Sequence, residues 1–232
     1  MGSLLVLALG AAGVSFAGEP TSTALPTGGE VVAGTGAIST RGNSTLVQQS
    51  SAKLVVNWQS FNIGADAEVE FRQPDSTSVA LNRVIGTDPS LIQGRLKANG
   101  QVFLVNANGV LFSRSAQVDV GGLVASTLDM DDREFMQGRF VLAGQSRAAV
   151  TNEGVIRARD GGVVALIAAR IVNTGELTAN RGKVGLGAGD RVTLDLGGPT
   201  LLQVRNSTLE TLIENGGDPG RRWPSTRDLH GG

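Results

Sequence analysis

The sequence predicts an all-β fold, a parallel β-solenoid in which short strands stack coil upon coil. Three features carry that expectation. A strand-and-corner motif recurs with a period of about 20 residues. Apolar runs are short and rich in Val, Leu, Ile and Ala, with few helix signals between them. Glycine makes up 33 of 232 residues and aromatics only 4%, a composition that suits a narrow core and dense corners.

The repeat is clearest in the second half. "NEGVIRARDGGVVALIAARIV" begins at Asn152 and "NTGELTANRGKVGLGAGDRV" begins at Asn173. Asn152 and Gly154 correspond to Asn173 and Gly175, and Gly161 is aligned with Gly182. A weaker copy starts at Asn108 with "NGVLFSRSAQVDVGGLVAS". Leucine-rich repeats have a similar period but a fixed leucine pattern that is absent here, and propeller blades need about twice the length. Stacked coils sit about 4.8 Å apart. Their corners favour residues that tolerate φ > 0, Asn and Gly above all, and stacked asparagines can bond along the stack.

Taken in order, residues 1–17 read as a signal peptide. The run "SLLVLALGAAGVSFA" carries no charge and ends in small residues at Ser15 and Ala17, although no Lys or Arg precedes it. A buried N-terminal helix is the alternative. Residues 18–33 read as an exposed lead-in. "AEVEFRQ" alternates, with Ala67, Val69 and Phe71 on one face and Glu68, Glu70 and Arg72 on the other. "QVFLVN" and "GVVALIAARIV" are apolar on both faces, as strands covered on both sides must be. Short helical turns are expected after Thr87-Asp88-Pro89, from a capping box at Ser126 to Asp129, and from another at Ser207 to Glu210 that continues through Leu212 and Ile213 to Asn215-Gly216. "VTLDL" reads as a strand with Val192, Leu194 and Leu196 inward. Residues 218–232 are polar and Pro-rich, with Leu229 the single aliphatic residue. They read as a disordered tail, with a longer natural product beyond.

Composition also excludes partners. Lys+Arg is 20 against Asp+Glu 21, so no basic track suits nucleic acid. The absence of Cys rules out a disulfide scaffold and a cysteine-ligated metal, and no cofactor is expected. Gly185, Gly187 and Gly189 lead into a strand instead of opening a helix, which favours close packing over a dinucleotide loop. Asp129, Asp131 and Asp132 fit the first turn of a helix better than a calcium site. His230 lies in the polar tail without a visible partner.

Four blocks follow one another as in a known family. "NWQSFNIG" (57–64), "FRQPDSTSVALNRV" (71–84), "GQVFLVNANGVLF" (100–112) and "VGGLVASTLD" (120–129) resemble the two-partner secretion domain that begins filamentous haemagglutinins and high-molecular-weight adhesins, and are closest to the adhesin type. "GDRVTLDL" and "TLIENGG" are similar to its C-terminal part. The resemblance spans 34–217. It implies a right-handed parallel β-helix of pectin-lyase type, with an N-terminal cap and small β elements outside the helix. It implies passage through the Sec machinery and recognition by a TpsB-type outer-membrane barrel with periplasmic POTRA domains. Release at the bacterial cell surface and folding of a long passenger would follow.

The family's Asn-Pro-Asn-Gly-Ile motif maps onto Asn106-Ala107-Asn108-Gly109-Val110. Ala107 departs from the pattern and gives up the fixed φ of proline. Its Asn-Pro-Asn-Leu motif has no counterpart. Asn106, Asn108 and Gly109 are thus the candidate recognition turn, read by the transporter or serving as a structural corner. Trp58, Phe61, Asn62, Asn82 and Phe103 form the motif core. The expected function is secretion targeting without catalysis. A surface adhesin that binds host glycan or protein directly is the alternative. A polysaccharide lyase would need acids and bases converging on one outer face, whereas the charges read as scattered.

Overall fold

The computed structural model describes residues 19–197, 201–205 and 211–216. The expected signal peptide, the Ser207 capping box and the expected tail lie outside them.

The chain begins by closing the bottom of a solenoid. Strand β1 (Glu30–Ala33) and β2 (Gly36–Arg41) run antiparallel to their neighbours. The first coil supplies β3 (Ser44–Gln49) and β4 (Lys53–Trp58), and the second supplies β5 (Glu68–Arg72) and β6 (Val79–Val84). The third brings β7 (Ser90–Ile92), β8 (Arg95–Ala98) and β9 (Gln101–Val105), and the fourth β10 (Val110–Phe112), β11 (Gln117–Val120) and β12 (Gly122–Ser126). An excursion then forms α1 (Asp132–Met136) and β13 (Phe140–Ala143). The fifth coil is β14 (Ala149–Asn152), β15 (Val155–Ala158) and β16 (Val163–Ala168), and the sixth β17 (Arg170–Asn173), β18 (Glu176–Ala179) and β19 (Lys183–Ala188). A second excursion, β20 (Arg191–Leu194) and β21 (Leu202–Arg205), precedes β22 (Leu212–Asn215).

The coils build three sheets, in the orders β1-β4-β6-β9-β12-β16-β19, β2-β3-β5-β8-β11-β15-β18 and β7-β10-β14-β17-β22. All pairings between coils are parallel. Antiparallel β1 and β2 cover the lower edges of two of the three sheets, where a row of free N–H and C=O groups would otherwise invite pairing. Residues 19–29, expected as an exposed lead-in, are largely exposed by side chain yet tied down by backbone. Gly64 N donates to Ala24 O, Asp66 N to Ser22 O, and Thr27 N to Ser60 O.

Two apolar layers explain the two kinds of strand. Val164, Leu166 and Ala168 point into the solenoid with Ile156 and Ile171, whereas Val163, Ala165 and Ile167 face outward. That outer face is covered by Phe135 of α1, Leu142 of β13 and Val192 and Leu194 of β20. β13, β20 and β21 make a small antiparallel sheet, so the two excursions close into one clasp over the solenoid. The strands read as covered on both sides are so covered, and the cover is this clasp.

Glycine ladders allow the coils to approach. Register places Gly121 over Gly100, Gly162 over Gly121 and Gly182 over Gly162. The repeat alignment therefore shifts by one: Gly182 stacks on Gly162, while Gly161 and Arg181 are the positive-φ pair, at 76° and 52°. The copy placed at Asn108 also shifts, because Phe112 is the residue paired with Asn152. The expected asparagine stack is present at Asn152, Asn173 and Asn215. Asn152 Nδ2 donates to Asn173 Oδ1, and Asn173 Nδ2 to Asn215 Oδ1, both at 2.8 Å.

The helix expectations need correction. Thr87 to Pro89 is a bend at a coil corner. Ser126 ends β12, and its Oγ accepts from Leu128 N and donates to Leu128 O, which holds the chain extended. The helix starts later, with Asp131 as N-cap accepting from Glu134 N at 3.0 Å and with Asp132 and Glu134 in its first turn. Leu212 and Ile213, expected to continue a helix, form a strand that pairs with β17. Gly185, Gly187 and Gly189 do pack closely, but against Leu202 and Val204 of β21 instead of a neighbouring coil.

Candidate recognition turn and its supports

The turn at 106–109 joins β9 to β10 and so carries the chain from one sheet to another at a coil corner. Gly109 N donates to Asn106 O at 3.0 Å, which closes a four-residue turn. Positive φ is needed only at Gly109, at 115°. Neither Asn106 nor Asn108 adopts it, so the expectation that asparagine serves these corners through left-handed backbone is overturned. The side chains are what the corner uses.

Asn106 is fully buried. Its Nδ2 donates to Asp88 O and Ser90 Oγ, each at 3.0 Å, and its Oδ1 accepts from Asn108 N and Asn108 Nδ2. Asn108 is half-buried and also donates through Nδ2 to Gly86 O at 2.9 Å. From the coil below, Asn62 Oδ1 accepts from Leu91 N at 2.8 Å. Three asparagines thus pin the corner 86–91 from both sides. All satisfy backbone groups that a corner leaves without a sheet partner. Sequence reasoning missed Gly86, Asp88 and Ser90. The missed signal is the Gly-x-Asp-Pro-Ser spacing between two strands, which marks a corner more strongly than a helix start.

Only Ala107 is exposed in this turn, and Ser146 Oγ of the first excursion donates to Ala107 O at 2.6 Å. A β-carbon on Gly109 would lie 3.2 Å from Ala149 O. The turn is therefore framed by the coil below and by the returning chain above.

The motif core falls into two groups. Trp58, buried within the solenoid, meets Phe61 edge to face with centroids 5.5 Å apart, and its Nε1 donates to Asn82 Oδ1 at 3.0 Å. Asn82 Nδ2 in turn donates to Ala80 O and Phe103 O, both at 3.3 Å. Indole and amide satisfy each other inside an apolar interior, where an unpaired donor is costly. Phe103 points the opposite way, into the clasp, with centroids 6.0 Å from Phe135 and 5.3 Å from Phe140. A buried amide cluster around Gln49 and Gln73 was also missed. Gln73 Nε2 donates to Gln49 Oε1 and to the carbonyls of Ser78 and Gln101.

Charges are not scattered. Register aligns Glu70, Lys97, Asp119 and Arg157 in sequence up one outer face. Signs alternate along the row, whose members pair sideways, Glu70 with Arg72, Lys97 with Glu68 and Arg157 with Glu176, and a shallow cavity of about 360 Å³ beside them holds both signs. The Lys97 hydrogen bond, with help from Arg95 and against a smaller cost of burial, holds the Glu68 carboxyl below its ordinary value. Its stabilisation is present above the ordinary carboxylate range and fades as pH falls through the lowered value. The clasp has an ionic anchor at Arg83. Arg83 of β6 pairs with Asp129 at 2.8 Å and Asp132 at 2.7 Å, and donates to Met130 O at 2.6 Å. Burial lowers the Arg83 pKa, but the two carboxylates more than offset this and raise it overall. Among the described residues no three His, Cys, Asp or Glu side chains are grouped to hold a metal.

These features define a capped parallel β-solenoid, braced by an external clasp, whose asparagine side chains serve its corners. The chain belongs to the TPS secretion domain family, which matches residues 22–221. Its structure is similar to the HMW1 secretion domain of Haemophilus influenzae, with a TM-score of 0.77 at 32% identity, over 82% of this chain and 52% of that one. A filamentous hemagglutinin secretion domain shares the fold, with a TM-score of 0.54 at 15% identity, over 82% of this chain and 73% of that one. Two heme/hemopexin-binding proteins of H. influenzae are similar in sequence. One is 37% identical over 83% of this chain and 22% of its own length, the other 41% identical over 56% and 14%. The chain thus spans about a fifth of the length of the first relative. It is a secretion domain, and the family implies a dedicated TpsB-type transporter.

Proposed function

We propose that this domain is the export signal of a large exoprotein. It crosses the inner membrane through the Sec machinery by way of residues 1–17. The POTRA domains of a cognate outer-membrane barrel then recognise it in the periplasm, and it emerges at the bacterial cell surface. There the folded domain, 34–217 with its cap, starts the β-helix of a passenger that adheres to host cells. Residues 218–232 lie beyond it as a tail. The family match over most of the chain carries this reading. Co-expression tests it: export with the cognate barrel and retention without it are expected. Saturable binding of the purified domain to host glycan or protein, with barrel-independent release, would favour direct adhesion.

Within that reading, Asn106 acts as a corner once the domain is folded, because its side chain has no exposed surface to offer. Asn106→Ala deletes two donated and two accepted bonds. It should cost about 2–4 kcal/mol, since each stranded buried partner costs about 1–3 kcal/mol. Urea unfolding followed by Trp58 fluorescence measures this. A variant of unchanged stability that loses affinity for the POTRA domains would show direct reading instead.

A further inference from the structure

Strand β19 reads "KVGLGA", and with Gly189 just beyond it three glycines fall at every second position, on one face. Register puts Gly185 over Ala165 and Gly187 over Ile167, so that face continues the outer layer of the solenoid. Glycine inside a strand packs nothing and costs chain entropy, and it marks a close approach by another backbone. None of the three has positive φ, so space is what they supply. A β-carbon on Gly185 would lie 2.7 Å from Leu202 Cδ1, and one on Gly189 2.5 Å from Arg205 O. The track is a bare strip of backbone on which β21 lies.

A second feature lies beside it. β13 makes its ladder with β20 alone, from Phe140 against Leu194 to Ala143 against Arg191. The fifth and sixth coils separate those partners in the chain. Val192, Leu194 and Leu201 complete the cover over Val163, Ala165 and Ile167. Without β20 and β21, β13 has a bare edge and the outer face of β16 is open. The two halves of the clasp are also held differently. Arg83 ties down the first through Asp129 and Asp132. In the second, β21 is the edge of the small sheet, with Gln203, Val204 and Arg205 exposed, and a lone two-stranded ribbon is marginal in water.

We infer that the β13 edge and the glycine track together form a docking seat for a two-stranded segment. β20 and β21 fill it as a latch, which closes after the sixth coil has stacked and opens while the coils stay folded. One strand of the occupant pairs antiparallel with β13 and turns two aliphatic side chains inward, as Val192 and Leu194 do. The other lies directly on the backbone of β19. Closure depends on the coils that the latch covers, since the track joins the outer face only once β19 has paired with β16. A chain without its sixth coil has no seat to fill. The inference goes beyond the export reading and needs no transporter, so either can fail alone.

Hydrogen exchange of the full, unaltered chain in urea below its unfolding midpoint reads the opening. Amides of β20 and β21 should exchange through one shared opening, about a hundredfold faster than those of β9 and β12. Exchange of all four strands in a single step overturns the latch. A fluorescent peptide of residues 189–205 reads the seat. Added to the full chain carrying Val192→Asp, whose own β20 no longer packs, it should bind saturably and slow exchange in β13. A scrambled peptide should not bind, and Gly185→Leu in the same background should abolish binding of the native peptide. Where Val192→Asp does not fold, Leu202→Ser, which buries no charge, takes its place. Loss of the solenoid in both variants overturns the latch, because the coils would then depend on it. No binding of the native peptide, equal binding of the scrambled one, or binding undiminished by Gly185→Leu overturns the seat.

Discussion

Gly162→Val is expected to prevent the coils from stacking at all. A β-carbon at Gly162 would lie 2.2 Å from Gly121 O and 2.8 Å from Arg159 O, both backbone atoms that no rotamer change can move. Its own φ is not positive, so the demand is for space and not for left-handed backbone. Relief would require parting two coils along a ladder that runs from Gly100 to Gly182. The cost should exceed about 4 kcal/mol, the range where point substitutions become exceptional, and much of a typical domain's stability of about 5–15 kcal/mol. Gly161→Ala is the control: nothing lies within 4 Å, but φ is +76°, so about 1–2 kcal/mol is expected from backbone strain. Urea unfolding followed by circular dichroism distinguishes them. A Gly162→Val protein as stable as the Gly161→Ala protein would refute the ladder.

Phe103→Ala should unfasten the clasp while sparing the solenoid interior. The ring is fully buried between β9 and the Phe135–Phe140 pair, whose centroids are 5.7 Å apart. Removing it leaves a cavity under a helix of 5 residues that cannot persist alone. A loss of about 3–5 kcal/mol is expected, with hydrogen exchange accelerating first in α1 and β13. Phe103→Leu should recover much of it. Equal acceleration in β3 and β5, which belong to a different sheet from the one the clasp covers, would show instead that Phe103 supports the whole coil stack.

The solenoid was legible because stacking imposes one rule on every coil. Asn152 and Asn173 repeat since each must bond the next, and Gly100, Gly121 and Gly162 repeat since each must admit a carbonyl. Alternation in "AEVEFRQ" survives intact, with Ala67, Val69 and Phe71 buried. Phase was harder to read. Adjacent glycines at 161 and 162 made a one-residue slip invisible in the letters, and only β16–β19 pairing separates the residue that turns from the residue that stacks.

Helix signals failed for a related reason. Ser126, Thr87 and Leu212 carry local preferences worth about 1 kcal/mol, whereas the coil path fixes each of them: Ser126 ends β12 between β9 and β16, Thr87 lies in a corner, and Leu212 pairs with β17. The candidate turn shows the same division. Residue types alone marked Asn106, Asn108 and Gly109 as a corner. That Asn106 is buried while Ala107 faces solvent depends on Gly86, Asp88 and Ser90 arriving from a coil about twenty residues earlier.

What the sequence by itself determined was the repeating unit: strand lengths, inward faces and the residues able to stack. What only the tertiary structure decided was everything joining distant segments. β13 meets β20 across some fifty residues, Arg83 reaches Asp129 and Asp132, and the outward charges fall into an alternating row. A period is written into neighbouring letters because each coil contacts the next. A clasp is not, because its two halves share no period and meet only after the coils between them have stacked.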